Sequence, residues 1–398
     1  MNLLTDGVQS GAVFETKMSR KLTINGNTRT YPVYKVRLDL LFYNDQNDRI
    51  ATWISRYKSE HEGKSVDLND RETYNSTIES FVVKSNPEAM RKIQTNIELI
   101  DQRDPGVVFA NGRIIDGNRR FACLRRLAQK NNSFNYFETV ILNQDMENSA
   151  KQIKMLELSI RHGEENSIDR LAGIYNDIVI TKLISAEEYA HSTNEPIQDI
   201  KRRIEIAELM VEFLEYINAP LQFHIARDMQ IYSPIEELSK LLKRCRTYDE
   251  ADDLKSIVFT NLLMKTEGDM RTFVHNLKKI MGSDYQETFM EEQKEVAQTV
   301  LESLPAIGKI SDKIIRDEIR ANSDIVQRLD DSLDKTLAKV HKTEIRTRPI
   351  QLVEKATDFL DEIDLNILVK LNDSEVQRIK NQLKQLEIMI DEIRGKLN

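Results

Sequence analysis

The chain has 398 residues, 40% of them in the hydrophobic class and 31% charged, with a formal net charge of −8. That length suits two or three domains with substantial cores. The negative balance argues against a protein that coats nucleic acid indiscriminately. No run of eighteen apolar residues occurs, and Met1-Asn2-Leu3-Leu4-Thr5-Asp6-Gly7 lacks the basic and apolar segments of a signal peptide. A cytoplasmic location without a membrane partner is therefore expected. Cys123 and Cys245 are too few for a disulfide framework, and the six histidines are scattered without ligand spacing, so no protein-built metal site is expected.

In chain order, residues 1 to about 20 read as an arm, either ordered on contact or flexible. Lys21 to Ile24, the Asn25-Gly26 turn and Thr30 to Leu41 predict a hairpin leading into a strand. In its second arm, Val33, Lys35 and Arg37 alternate with Tyr34, Val36 and Leu38, a mixed period-two pattern. Residues 57–72 are almost wholly polar and read as a surface loop. A helix is expected over Pro87–Ile100, where Ala89, Ile93, Ile97 and Ile100 fall on one face.

The next segment carries the chemistry. Val107-Val108-Phe109-Ala110, the Asn111-Gly112 turn and Arg113-Ile114-Ile115 predict a second hairpin. Asp116-Gly117-Asn118-Arg119-Arg120 then turns into a helix whose Phe121, Leu124, Leu127 and Ala128 share a face. A strand–glycine–helix junction offers backbone N–H groups, the positive end of a helix dipole and, here, two fixed guanidinium groups. These are the ingredients of a phosphate site. Residues 111–130 hold six cations against the single acid Asp116. Gly117 lets backbone approach a phosphate, Asn118 and Arg119 supply helix N-terminal N–H groups, and Arg119 and Arg120 supply charge. Asp116 is the candidate catalytic group. Its readings are a base, a ligand orienting Mg²⁺ or an arginine, or a cap for the helix. Arg125 and Arg126 read as surface or partner contacts, Cys123 as packing, and Trp53 as a structural ring rather than a base-stacking platform.

A strand over Tyr136–Leu142 closes the mixed region, and from about residue 145 the chain reads as nearly all helix. Ser185 and Glu188 form a capping box for a helix ending near His191. Thr193-Asn194-Glu195 makes a turn, and Pro196 opens a second helix to about Met210. Ala190, Asn194 and Ile200 have the spacing of a helix-turn-helix, with Gln198, Lys201, Arg202 and Arg203 along the second helix as candidate DNA contacts. Residues 185–212 nonetheless hold three cations and seven acids, so such a helix needs neighbours for its phosphate contacts. At the C-terminus Val376, Ile379, Leu383, Leu386, Ile390, Ile393 and Leu397 form an uninterrupted heptad seam, begun by a Ser374/Gln377 capping box. The seam suits a homodimer or packing against the chain's own helix over Ile315–Val340.

Across residues 30–215 the chain resembles the ParB/sulfiredoxin superfamily, and within it ParB-like partition proteins. Val36-Arg37-Leu38-Asp39-Leu40 with Asn44, Asn47 and Arg49 looks like that family's first box, and Gly117-Asn118-Arg119-Arg120-Phe121 like its phosphate motif. The family's third segment would fall at Leu158–His162. The resemblance implies an α+β protein with a ParB/sulfiredoxin-like mixed domain (1–145) and a helical helix-turn-helix domain (146–215); beyond it the residue pattern itself gives a helical domain of unassigned role (216–370) and a coiled-coil-like dimerisation helix (371–398). It further implies a nucleoside triphosphate ligand, CTP or ATP, with or without Mg²⁺, held by Arg49, Gly117, Asn118, Arg119, Arg120 and Arg161, and DNA as partner. Asn118 stands where sulfiredoxins need a cysteine, which argues against sulfinic acid reduction. Three functions remain open: a nucleotide-responsive DNA-binding protein, a ParB-like NTPase, kinase or nuclease, and a protein–protein adaptor.

Overall fold

A mixed sheet occupies the N-terminal part of the computed structural model, which describes residues 2–24, 27–142, 150–160, 166–264 and 269–397. Strands β1 (Val13–Ile24) and β2 (Asn27–Arg37) pair antiparallel, with Ile24 opposite Asn27. Helices α1 (Ala51–Glu60), α2 (Arg71–Ser85) and α3 (Pro87–Ile100) follow, then β3 (Gly106–Phe109), β4 (Ile114–Asp116), α4 (Asn118–Ala128) and β5 (Tyr136–Leu142). The strand order is β1-β2-β5-β3-β4, and only the β3–β5 pair is parallel.

Both faces of this sheet are covered, which explains the mixed period of β2. Val36, Val108, Ile114, Phe137 and Ile141 pack with Ile78, Met90, Phe121 and Leu124 of the helices on one face. Val33, Val107, Phe109, Ile115 and Val140 pack on the other against Ile153, Leu156 and Ile160 of α5 (Ala150–Ile160). A strand buried on both sides loses the clean alternation of a half-exposed one. The Gly112 turn between β3 and β4 forms as expected, with φ of +96° at Gly112 and the Arg113 N–H held by Asn111 Oδ1 at 2.9 Å. The Asn25-Gly26 turn lies outside the described residues.

Two expectations fail here. Residues 2–20 are not an arm: Leu3 is buried, its N–H donates to the Ala110 carbonyl at 2.7 Å, and β1 begins at Val13. Most β1 side chains face outward, so cross-strand pairing rather than local pattern fixes the strand. Nor is 57–72 one loop. Helix α1 continues to Glu60 and α2 begins at Arg71, because Asp70 caps it through the Thr73 N–H and Tyr74, Ile78, Phe81 and Val82 bury its far end.

Among the described residues no strand follows β5. The helices are α6 (Ser167–Ile174), α7 (Ala186–Thr193), α8 (Ile197–Tyr216), α9 (Phe223–Asp228), α10 (Tyr232–Leu242), α11 (Tyr248–Met264), α12 (Met270–Ile280), α13 (Gln286–Ser303), α14 (Asp312–Ile314), α15 (Ser323–Asp361), α16 (Leu365–Leu368) and α17 (Asp373–Leu397). The Ser185/Glu188 capping box starts α7, and Asn194 ends it in the left-handed conformation (φ 55°, ψ 43°). Ala190 and Ile200 share one buried cluster, so α7 and α8 meet as their spacing predicts. Pro196 is the N-cap of α8 rather than its first residue, and α8 runs on to Tyr216 because Val211, Phe213 and Leu214 continue its buried face.

The chain divides into compact units 1–333 and 334–398, with α15 spanning the division. In the second unit α17 follows the heptad, but its capping box is Asn372/Glu375 rather than Ser374/Gln377. The Asn372 N–H donates to Glu375 Oε2 and the Glu375 N–H to Asn372 Oδ1, each at 3.0 Å. No residue of α17 is buried. Among the described residues no helix is long and apolar enough to cross a membrane.

Candidate functional site

The β4–α4 junction opens a cleft of about 900 Å³. Ile114 and Ile115 anchor β4 in opposite cores, so Asp116 and Gly117 leave the sheet at a fixed point. Gly117 has φ of +105°, a conformation that side chains oppose. A Cβ there would stand 2.8 Å from the Phe137 ring and 3.3 Å from the Arg120 guanidinium. Gly117 is also the N-cap of α4 and, being glycine, provides no side-chain cap. The first hydrogen bond inside the helix runs from the Phe121 N–H to the Gly117 carbonyl at 2.9 Å. The preceding N–H groups point along the axis with the positive end of the dipole.

Five arginines line the cleft: Arg20 from β1, Arg49, Arg103, and Arg119 and Arg120 from α4. Four carboxylates share the lining: Asp101, Asp104, Asp116 and Glu157. Asp116 is not a helix cap. Its Oδ2 accepts from Arg120 Nη2 at 2.9 Å and from Arg20 Nη1 at 3.1 Å, with all three side chains under a fifth exposed. Arg120 Nη1 also donates to the Asp104 carbonyl at 2.5 Å, and Arg20 to the Pro105 carbonyl. The carboxylate thus fixes two guanidinium groups against one wall.

That wall is the 101–105 loop, and Gln102 pins it. Gln102 Nε2 donates to the carbonyls of Asp104 (2.9 Å) and Glu138 (2.7 Å), and its Oε1 accepts the Glu138 N–H at 2.9 Å. Beside it Asp101 holds φ 62°, ψ −177°, a region otherwise occupied essentially by glycine. Strain of this kind persists only where the surroundings over-determine the backbone.

Asn118 is the other unusual group. It is 7% exposed and lines the cleft, and its Oδ1, itself closed off from solvent, has no hydrogen-bond partner among the described residues. On the opposite wall Glu157 stands 3.6 Å from Lys154, a 2%-exposed ammonium that also pairs with Asp48 and, at 3.0 Å, with Asp177. Burial lifts the Asp177 carboxyl above its ordinary range despite the ammonium beside it.

Gly117, Asn118, Arg119, Arg120, Asp116 and Arg49 are therefore gathered in one cleft, while Arg161 lies outside the described residues. Arg20 and Arg103 are additions that local sequence gave no reason to choose. Only the folded sheet brings Arg20 to Asp116, a residue 96 positions away in the sequence. Gln198, Lys201 and Arg202 are exposed on α8, with Lys201 3.9 Å from Glu187 and Arg202 3.9 Å from Asp199. Arg203 instead joins Arg170 on Glu195. Burial would lift that glutamate, but the two guanidinium groups outweigh it and hold the carboxyl below its usual range.

Arg125 is an internal brace rather than a partner contact, donating to Glu79 at 2.8 Å and Glu72 at 2.9 Å. Cys123 is wholly buried, and burial pushes its thiol up to about 12, in keeping with packing. Trp53 is half-buried with the Arg227 guanidinium 4.0 Å from its ring, a structural contact.

No family model matches the chain, and no curated protein matches it. Among solved structures the chain is similar to the C2221 form of a Pnob8-like ParB-N domain. The identity is 12%, the match covers 75% of this chain and 97% of that one, and the TM-score is 0.32.

Proposed function

We propose that this protein binds a nucleoside triphosphate, with its phosphates on the N-terminus of α4 and among the arginines of the cleft. One observation carries the reading: an uncapped helix end, behind a left-handed glycine, faces a cleft whose wall presents guanidinium groups already fixed in place. Oxyanions match that arrangement because N–H donors and the dipole both favour negative charge. A volume of about 900 Å³ accommodates a nucleotide rather than a phosphate ion alone. Asp101 and Asp104 are exposed on the rim, where a divalent cation carried by the phosphates would meet them. Such a cation would neutralise phosphate charge. With Asp116 engaged by Arg20 and Arg120, the site is arranged for holding phosphate, and binding rather than turnover is the activity proposed.

A thermal-shift panel of CTP, ATP, GTP and UTP, with and without Mg²⁺, tests this. One of them should stabilise the wild type by about 2.7 kcal/mol at a hundredfold excess over Kd. Arg120→Ala should abolish the response. Indifference of the wild type to all four would sink the reading.

A second reading concerns DNA. Asn194 in its left-handed turn, the Ala190–Ile200 contact and the exposed Gln198, Lys201 and Arg202 favour a helix-turn-helix that presents α8 to a duplex. Arg203 is outside that contact set because Glu195 holds it. Duplex binding that weakens with salt and is lost in a Lys201→Ala/Arg202→Ala variant supports this reading; binding indifferent to that variant removes it. The apolar seam of α17, with Leu383, Ile390, Ile393 and Leu397 between 41% and 81% exposed, supports self-association through a second copy. Light scattering before and after deletion of residues 374–398 distinguishes dimer from monomer.

A further inference from the structure

We infer that the C-terminal half of α15 belongs to the self-association surface, so that two copies of this chain meet as a four-helix bundle built from α15 and α17 of each. The inference rests on the proposed self-association through α17 and extends it to a second helix. No described residue from 341 to 397 is buried. The seam of α17 is not the only apolar row in that stretch. Ile345, Pro349, Leu352, Ala356, Phe359 and Ile363 are spaced 4, 3, 4, 3 and 4, a heptad seam along the end of α15 and the turn after it. Ile350, Val353 and Leu360 form a second row one residue round from the first. The large side chains of the two rows on α15, from Ile345 to Leu360, are between 42% and 68% exposed.

The width of this face decides what covers it. A single narrow seam suits a two-stranded coil, one neighbour for one row. Two adjacent rows need two neighbours, which is the situation of a helix in a bundle. The α17 of the same chain covers one row at most, and a second copy covers the other. Pairing through α17 alone uses only the three heptads from Val376 to Leu397, the lower end of what sustains a coiled coil. It would also leave the whole α15 face in water.

Charge sets the direction of the pairing. Arg346 and Arg348 stand near the start of the α15 seam, and Asp358, Asp361 and Glu362 at its end. On α17, Arg378, Lys380 and Lys384 precede Glu387, Asp391 and Glu392. Antiparallel neighbours therefore set the basic part of each helix against the acidic part of the other. Parallel neighbours would set like against like.

Light scattering and hydrogen exchange of the full chain over a dilution series test this. The wild type should have the mass of two chains, and amides of residues 345–363 and 376–397 should gain protection together as the dimer forms. Val353→Gln/Leu360→Gln alters two side chains already exposed within one chain. It should weaken the dimer by roughly a thousandfold or more, because two apolar side chains per copy are lost from the interface. A dimer of unchanged affinity in that variant, or protection confined to 376–397, would overturn the inference and leave the α17 reading in place. A wild type that stays monomeric at every concentration would remove both, and protection of 345–363 in that monomer would mean that α15 closes on its own α17.

Discussion

Gly117→Ala is the sharpest perturbation of the junction. The residue holds φ of +105°, and an added Cβ would approach the Phe137 ring to 2.8 Å and the Arg120 guanidinium to 3.3 Å. Backbone strain of this kind costs about 1–3 kcal/mol. Phe137 is 0% exposed in the main core, so its ring moves aside only by overpacking, at a further cost of about 1–3 kcal/mol. A loss of roughly 3 kcal/mol is expected, which for a unit of residues 1–333 lowers Tm by about 4 °C. Gly112→Ala supplies the control. Its Cβ would stand 2.2 Å from the Leu40 carbonyl oxygen, so it too destabilises, but it does not line the cleft. Scanning calorimetry and nucleotide titration of both variants separate fold from site: both should melt early, and only Gly117→Ala should lose additional affinity. A Gly117→Ala protein with wild-type Tm and affinity would refute the junction geometry.

Three further outcomes follow from the same structure. Asp101→Gly should raise stability by about 1–2 kcal/mol in urea unfolding, because glycine occupies φ 62°, ψ −177° without penalty; an unchanged or lower midpoint would show that Asp101 is not strained. His224 is 6% exposed, and burial, reinforced by Arg56 and Arg227, lowers its pKa from 6.5 to about 4. Between those values the unfolded chain binds a proton that the folded chain does not, so stability rises with pH across this window. Urea titrations from pH 7 to pH 4 should show about 3 kcal/mol lost on acidification, and His224→Gln should flatten that part of the slope; an identical slope in the variant would contradict it. Arg203→Ala should lower Tm, because Glu195 then keeps only Arg170, and a change in DNA affinity without a change in Tm would place Arg203 on the surface after all.

The junction was legible because its information is local. Ile114 to Phe121 contain a β-prone run, a glycine and a helical face within eight residues, and backbone geometry follows from those alone. The same holds for the α7–α8 turn, where Ser185, Glu188 and Asn194 act within a few residues of themselves. The arginine wall was not legible. Arg20 becomes part of the cleft through the β1–β2 ladder and a contact with a residue 96 positions away. Nothing in Met18-Ser19-Arg20 announces either. Arg125 misled for the opposite reason: it belongs to a basic run, yet Glu72 and Glu79, both on the unforeseen α2, engage it from across the core. The Ser374/Gln377 pair matched a capping pattern, but Asn372/Glu375 two residues earlier matched it equally well and was the pair that formed.

The end of α4 and its arginines are proposed to hold a nucleoside triphosphate. Isothermal titration of nucleotide into wild type and into Arg119→Ala/Arg120→Ala tests it most directly. The proposed reading expects one site per chain in the wild type and its loss in the variant. Equal affinity in the two proteins, or heat from neither, would contradict it.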